Sequence, residues 1–329
     1  MLFGLRRNEI LAFCELCRAG GGQVTIGGLA ESLGWSKSVA SRAANGLAGK
    51  GLAQLRRDGQ RKLLAVSKSA NAVAALKELL AAYPHIAFQD LLAGSSMRVL
   101  CGLLFAPASV AAVAMRGRLP QITVRRVLAK LLERGLVGRR RPGEYSIALP
   151  GLSGFVLAYC AFAVDAARGA VFGSLIVRGA NGLLRTSSPA VPKSMVLTGV
   201  SVFGKYGIGI VATDYRDYYF NAFGKPGKPG VEEAVVHALL RSTVMASGRE
   251  VSYALLVLCK NRKRIDGGRL LECARDFGVE SDARQALEFV DCVLSGRPVR
   301  KPLVDFGNRV EGPLFPGEEE FKELVRQYG

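Results

Sequence analysis

The chain has only two histidines, His85 and His237, and seven cysteines in 329 residues. That scarcity works against a zinc site, which needs four converging nitrogen or sulfur ligands. Cys14 and Cys17 are spaced like half of one, but no second cysteine pair and neither histidine lies nearby in sequence. Cys101, Cys160, Cys259, Cys273 and Cys292 sit among apolar neighbours, where a thiol behaves as a small hydrophobe. His85, beside Pro84, reads as structural. Walker-type and dinucleotide glycine fingerprints are missing, and His237 has no obvious Ser or Cys partner, so no cofactor is expected and no reaction is assigned. No apolar run reaches the roughly 18 residues of a membrane span. The opening MLFGLRRNEILAF enters an amphipathic helix without a small-residue cleavage site, which predicts a cytoplasmic location and no membrane partner. Acidic residues are scarce as well, 27 Asp+Glu against 45 Lys+Arg. Disorder is excluded by the 49% hydrophobic content.

The shortage of acid is uneven. Residues 1–150 hold 22 Lys+Arg and 8 Asp+Glu, a balance of +14, whereas residues 151–329 hold 23 and 19, a balance of +4. The basic part also repeats itself. ASRAANGLAGKGLAQLRRDGQRKLLAV from Ala40 and VRRVLAKLLERGLVGRRRPGEYSIAL from Val124 superpose without a gap at an offset of 84 residues. Leu47 falls on Leu131, Gly51 on Gly135, Leu52 on Leu136, Arg56 and Arg57 on Arg140 and Arg141, and Gly59 on Gly143. Each copy reads as a helix, a turn and a basic hairpin, the back half of a winged helix-turn-helix. A basic surface of this kind is the electrostatic footprint of a double-stranded DNA binder.

In the first copy, Arg6 to Ala19 has the apolar spacing of a one-sided helix, Gln23 to Ile26 suits a short strand, Gly28 to Leu33 is a short helix, and a recognition helix runs from an Ser36 N-cap to Lys50. Ala40, Ala44 and Leu47 point inward, which leaves Lys37, Ser38, Ser41, Arg42 and Asn45 outward for bases or phosphates. The wing, Leu52 to Ser67, turns at Asp58-Gly59 and crowds Arg56, Arg57, Arg61 and Lys62 at its tip. A nearly neutral helix, Ala70 to Ala82, follows as a spacer or dimer support.

In the second copy, Ser96 to Phe105 and Val110 to Arg116 precede a recognition helix, Gln121 to Arg134. Val124, Leu128 and Leu131 face inward; Gln121, Thr123, Arg125 and Arg126 face out. Its wing carries Arg139, Arg140 and Arg141, a cluster whose self-repulsion DNA would relieve. Two such modules would straddle adjacent grooves, or one would bind DNA while the other serves as an interface.

From Leu152 the character changes. Val171 to Val177 and Gly182 to Arg185 read as strands, Ser194 to Tyr206 as a helix, and Ile208 to Phe223 as an aromatic hairpin. Helices follow at Glu232 to Val244, Leu270 to Phe277 and Ala283 to Leu294, with an apolar stretch from Tyr253 to Cys259, and a Pro/Gly-rich tail from Pro298 ends in a helix, Glu318 to Tyr328. A nucleotidyltransferase or nuclease would need paired carboxylates for a metal, but Asp214 and Asp217 stand three apart and would point to opposite faces of a strand. Tyr215, Tyr218, Tyr219 and Phe220 form instead a protein-contact run.

Together these residues predict an α+β chain of four parts: winged helix one (1–68), a helical linker (69–95), winged helix two (96–150), and an α+β partner or dimerisation domain (151–329). The winged helix, LTGVSVFGKYGI, the aromatic run, EEAVVHALL and IDGGRLLECARDFGVE resemble AbiEi-type antitoxins and archaeal winged-helix transcriptional regulators over roughly residues 195–290. The resemblance implies a DNA-binding autorepressor whose C-terminal domain neutralises a nucleotidyltransferase-type toxin; a second winged helix is this chain's departure. The expected function is thus a sequence-specific transcriptional regulator, not an enzyme, with duplex DNA and either a second copy or a toxin as partners. Its rivals are a metal-dependent DNA-processing enzyme and an interaction subunit of a transcription or replication assembly.

Overall fold

A computed structural model describes residues 5–19, 22–67, 71–209, 214–245, 247–298 and 316–328. Gly20-Gly21, residues 210–213 of the expected hairpin and most of the expected tail lie outside them. The described residues form a mainly helical chain with three small antiparallel sheets. By contact the chain divides into Met1–Gly169 with Asn221–Gly224, and Ala170–Phe220 with Lys225–Gly329.

The first unit builds one pattern twice. Its first copy runs α1 (Arg7–Arg18), β1 (Val24–Thr25), α2 (Ile26–Ser32), α3 (Lys37–Gly49), β2 (Ala53–Asp58) and β3 (Arg61–Val66). Between the copies lie α4 (Asn71–Ala82) and α5 (Phe88–Leu91). The second copy runs α6 (Ser95–Gly102), β4 (Ala108–Ser109), α7 (Val110–Gly117), α8 (Gln121–Glu133), β5 (Val137–Arg141) and β6 (Glu144–Ile147), and α9 (Leu152–Arg168) closes the unit. The sheets have matching orders, β1-β3-β2 and β4-β6-β5.

The shared Gly-Leu pair explains itself in both copies. Gly51 and Gly135 take positive φ values of 76° and 69° just past α3 and α8, a conformation that favours glycine. The next amide then turns back onto the helix: Leu52 N donates to Leu47 O at 3.0 Å and Leu136 N to Leu131 O at 2.9 Å. Leu52 and Leu136 are thereby buried under the last turn.

Beyond the turn of the wing the gapless superposition fails. Opposite Ala53 stands Val66, but opposite Val137 stands Ile147. The second hairpin is shorter, and its return strand is displaced by three positions from the offset of 84. The cause is local. In the first wing Asp58 faces Arg61 across Gly59-Gln60; in the second Arg141 faces Glu144 across Pro142-Gly143, proline preceding a positive-φ glycine as a type II turn requires. A register shift between Arg139 and Arg141 takes up the rest.

Helix α9 corrects the boundary drawn at residue 151. Leu152, Phe155, Val156, Tyr159, Cys160 and Ala163 are buried, and α9 packs on α4 and α6, so it belongs with the first unit. The Phe162 ring lies beside Gly51.

The second unit holds β7 (Ser174–Arg178), β8 (Asn181–Thr186), β9 (Val196–Leu197) and β10 (Arg216–Asn221), in the order β7-β8-β10-β9. Helices α10 (Val231–Met245), α11 (Gly248–Asn261), α12 (Gly267–Phe277), α13 (Glu280–Ser295) and α14 (Glu318–Tyr328) complete it. The apolar stretch from Tyr253 is part of α11. The helix expected over Ser194 to Tyr206 is β9 followed by a 3₁₀ turn at Gly199–Tyr206, and the described part of the expected hairpin is the single strand β10, paired with β9 through Tyr218 opposite Leu197. Its core gathers Val202, Phe203, Leu239, Leu255, Leu258, Val290 and Phe321.

Candidate nucleic-acid interface

Helix α3 starts cleanly because Ser36 Oγ accepts the Val39 amide, the short polar cap an N-terminus favours. Ala40, Ala44 and Leu47 are fully buried. The helical repeat therefore turns Lys37, Ser38, Arg42 and Asn45 to solvent, with Ser41 half-buried at the edge. Asn45 Nδ2 donates to Ser41 Oγ at 3.5 Å and Arg42 Nε to Ser38 O at 3.4 Å, so these side chains lie along the helix surface.

The first wing exposes Arg56, Arg57, Arg61 and Lys62. Arg57 and Lys62 are direct cross-strand partners, a like-charge pairing that disfavours the isolated hairpin. The wing tip, the start of α2 and the start of α3 enclose a cleft of about 430 Å³ lined by Thr25, Ile26, Gly27, Lys37, Gln60, Arg61 and Lys62. Three cations line it and no carboxylate does. The fold thus brings Lys37 together with Arg61 and Lys62, residues read separately from the sequence.

Helix α8 repeats the arrangement with different chemistry. It follows Pro120 instead of a hydroxyl cap, and Val124, Leu128 and Leu131 are buried. Gln121, Arg125 and Arg126 are exposed and Thr123 is half-buried. Ile122 was not among the residues expected at this surface, yet it is 75% exposed. Its position two residues before buried Val124 was the available signal, since two helical steps of 100° turn it away from the core. On the second wing Arg139, Arg140 and Arg141 are exposed; Arg139 faces Tyr145 and Arg141 faces Glu144.

Other cations of this unit are engaged in the fold. Arg98 donates to the Gly117 and Arg118 carbonyls at 2.8 and 2.6 Å, at the C-terminal end of α7. Lys50 Nζ lies 2.6 Å from Glu9 Oε2, in a pair largely withdrawn from water. The charges left exposed are concentrated on the wings and outer helix faces. Cys14 and Cys17 are buried in α1, and burial pushes each thiol up to about 12, away from the thiolate that binds metal.

The expected aromatic contact run in the second unit needs correction. Phe220 is 2% exposed, with its ring over Gly182 on the neighbouring strand, where a Cβ would stand 2.4 Å from it. Tyr219 donates its hydroxyl to Asn181 Oδ1 at 2.9 Å and lies against the rings of His237 and Phe277. Tyr218 is half-buried, and Tyr215 is 59% exposed. Alternation along a strand is the reason: successive residues cannot all face one partner.

Asp214 and Asp217 also part company. Asp214 is exposed, while Asp217 is buried beneath two guanidinium groups. Arg185 Nε and Nη2 each donate to the Asp217 carboxylate at 2.8 Å, and Arg241 Nε lies 3.2 Å from it. Arg185 also bonds Glu250. Burial works against the Arg185 charge, but its bonds to Asp217 and Glu250 outweigh that and raise its pKa; at Arg241 burial prevails over Asp217 and lowers it. Nearby, His237 Nδ1 lies 2.6 Å from Thr198 Oγ1, and burial lowers the ring's pKa to about 3. It is a neutral core histidine.

No protein-family model matches the chain, and no curated protein matches it.

Proposed function

We propose that this chain is a sequence-specific, duplex-DNA-binding transcriptional regulator that uses tandem winged helices, without catalysing a reaction. One observation carries the reading: the same helix, turn and hairpin is built twice, and each copy leaves exposed cations on both its third helix and its hairpin. Helix residues at the groove supply base contacts, while wing arginines supply phosphate or minor-groove contacts. The cationic cleft at Lys37, Arg61 and Lys62 suits a DNA phosphate strand passing between helix and wing. The second unit would bind protein, a second copy or a nucleotidyltransferase-type toxin, through Tyr215 and its surroundings, which makes the chain an autorepressor of the antitoxin kind.

The test is replacement of Arg139, Arg140 and Arg141 by Ala in the full chain. Phosphate contacts predict a similar loss on every duplex and a shallower dependence on salt, whereas Ala at Arg125 or Arg126 should cost about 1–3 kcal/mol on a preferred sequence and relax the preference there. Unchanged affinity in both variants would refute the second module's role in DNA binding.

A further inference from the structure

The outward stripes of α3 and α8 share one charge and differ in everything around it. On α3, Ser38, Arg42 and Asn45 lie on the side opposite Ala40, Ala44 and Leu47. On α8 the equivalent positions are Ile122, Arg126 and Ala129, opposite Val124, Leu128 and Leu131. One arginine is common to both. In the first helix two hydrogen-bonding side chains flank it; in the second two apolar ones do.

An isoleucine at Ile122 has no explanation within the fold. It is 75% exposed, so it contributes little to a core, and a β-branched residue is not a strong helix former. Its exposed neighbours on α8 are Gln121, Arg125 and Arg126, which makes an aliphatic group among charges the odd member of the surface. In a major groove, the aliphatic feature that base pairs present is the C5-methyl of thymine, whereas Asn and Ser suit the hydrogen-bonding edges of purines and other bases.

We infer that Ile122 is a specificity-determining residue that reads thymine methyl groups, so that the two modules of one chain recognise different sequences. This inference rests on the duplex-binding function proposed above. A half-site read through α8 is thymine-containing, with a methyl beside Ile122 and a guanine edge available to Arg126; a half-site read through α3 is selected by hydrogen bonds.

The test uses the full chain and a pool of random-sequence duplexes. Enriched duplexes are resynthesised with each thymine replaced in turn by deoxyuridine, which removes only the methyl, and affinities are measured by fluorescence anisotropy for the natural protein and for Ile122→Ser. Serine is what α3 carries at this position and the side chain faces solvent, so the variant keeps its fold. The natural protein should lose about fourfold at one or more thymines, the value of one buried methyl, and Ile122→Ser should show no loss there. Two unlike half-sites within the segment that one chain covers support the same inference. Indifference of the natural protein to every uracil, or equal uracil sensitivity in Ile122→Ser, overturns it while leaving duplex binding in place. If no sequence is enriched and affinity does not respond to salt, the duplex-binding reading itself fails and takes the inference with it.

Discussion

Replacing Asp217 by Ala should destabilise the second unit severely. Arg241 is 2% exposed and Asp217 is its carboxylate partner at 3.2 Å; its remaining bonds go to Ser174 and to the Leu183 carbonyl. Removing the carboxylate strands a buried cation, a loss of about 3–5 kcal/mol against a typical total of about 5–15 kcal/mol. Arg185 suffers less because Glu250 remains. Asp217→Asn keeps one acceptor oxygen and should lose less than Asp217→Ala, about 1.5–3 kcal/mol. A neutral double replacement, Asp217→Leu with Arg241→Met, leaves the Arg185–Glu250 pair intact and should cost less than Asp217→Ala alone. Urea unfolding followed by circular dichroism measures this. With slopes of about 1–3 kcal/mol/M, the midpoint for Asp217→Ala should fall by about 1 M or more at unchanged slope. An Asp217→Ala midpoint equal to that of the natural protein, or a double variant weaker than the single, would refute the reasoning.

Other consequences are equally direct. Alanine usually stabilises a helix where glycine stood, and Gly49→Ala, with open space around it, should gain about 0.5–1 kcal/mol; Gly46→Ala should destabilise, because its Cβ would stand 2.2 Å from Oε1 of Glu9, a side chain whose Oε2 is held by Lys50 and the Arg6 amide. Thermal melts of the pair should shift in opposite directions. His237, neutral in the fold and protonated below about 6.5 when unfolded, makes the unfolded state bind more protons between that value and about 3. Its contribution is therefore complete above pH 6.5 and declines as pH falls, by up to about 1.4 kcal/mol per unit; urea midpoints between pH 7 and pH 5 should show the decline, and His237→Phe should flatten it. Tyr215→Ala should weaken self-association or partner capture without altering the melt, whereas Tyr219→Ala should lower the melt, and sedimentation beside calorimetry separates the two.

The sequence made the helices of the first unit legible because their signals are local. Ser36 caps α3, and Gly51 and Gly135 end α3 and α8 with the backbone conformation that glycine favours. Helix α14 likewise stands at Glu318–Tyr328, the bounds expected from the sequence. What the sequence hid depends on distant partners. Phe220 is buried because Gly182, on another strand, leaves room for its ring. The shortening of the second hairpin follows from turns at different positions relative to the repeat, which matching glycines at 59 and 143 disguised. For α9 the local pattern does not say which part of the chain covers the helix, which the structure places against α4 and α6. At the candidate interface the wing cations are exposed, as solvation of so many like charges demands, and so is Ile122, to which hydropathy alone gives no outward role.

The central claim, that both basic modules hold duplex DNA, is tested most directly by the salt dependence of affinity in the full chain. Log affinity against log salt should be linear and steep, with about −0.9 in slope for each phosphate neutralised. Replacing Arg56, Arg57, Arg61 and Lys62 with Ala should flatten the line, replacing Arg139, Arg140 and Arg141 should flatten it too, and the two effects should add. A slope near zero in the natural protein, or an unchanged slope after both wings are neutralised, would contradict the account.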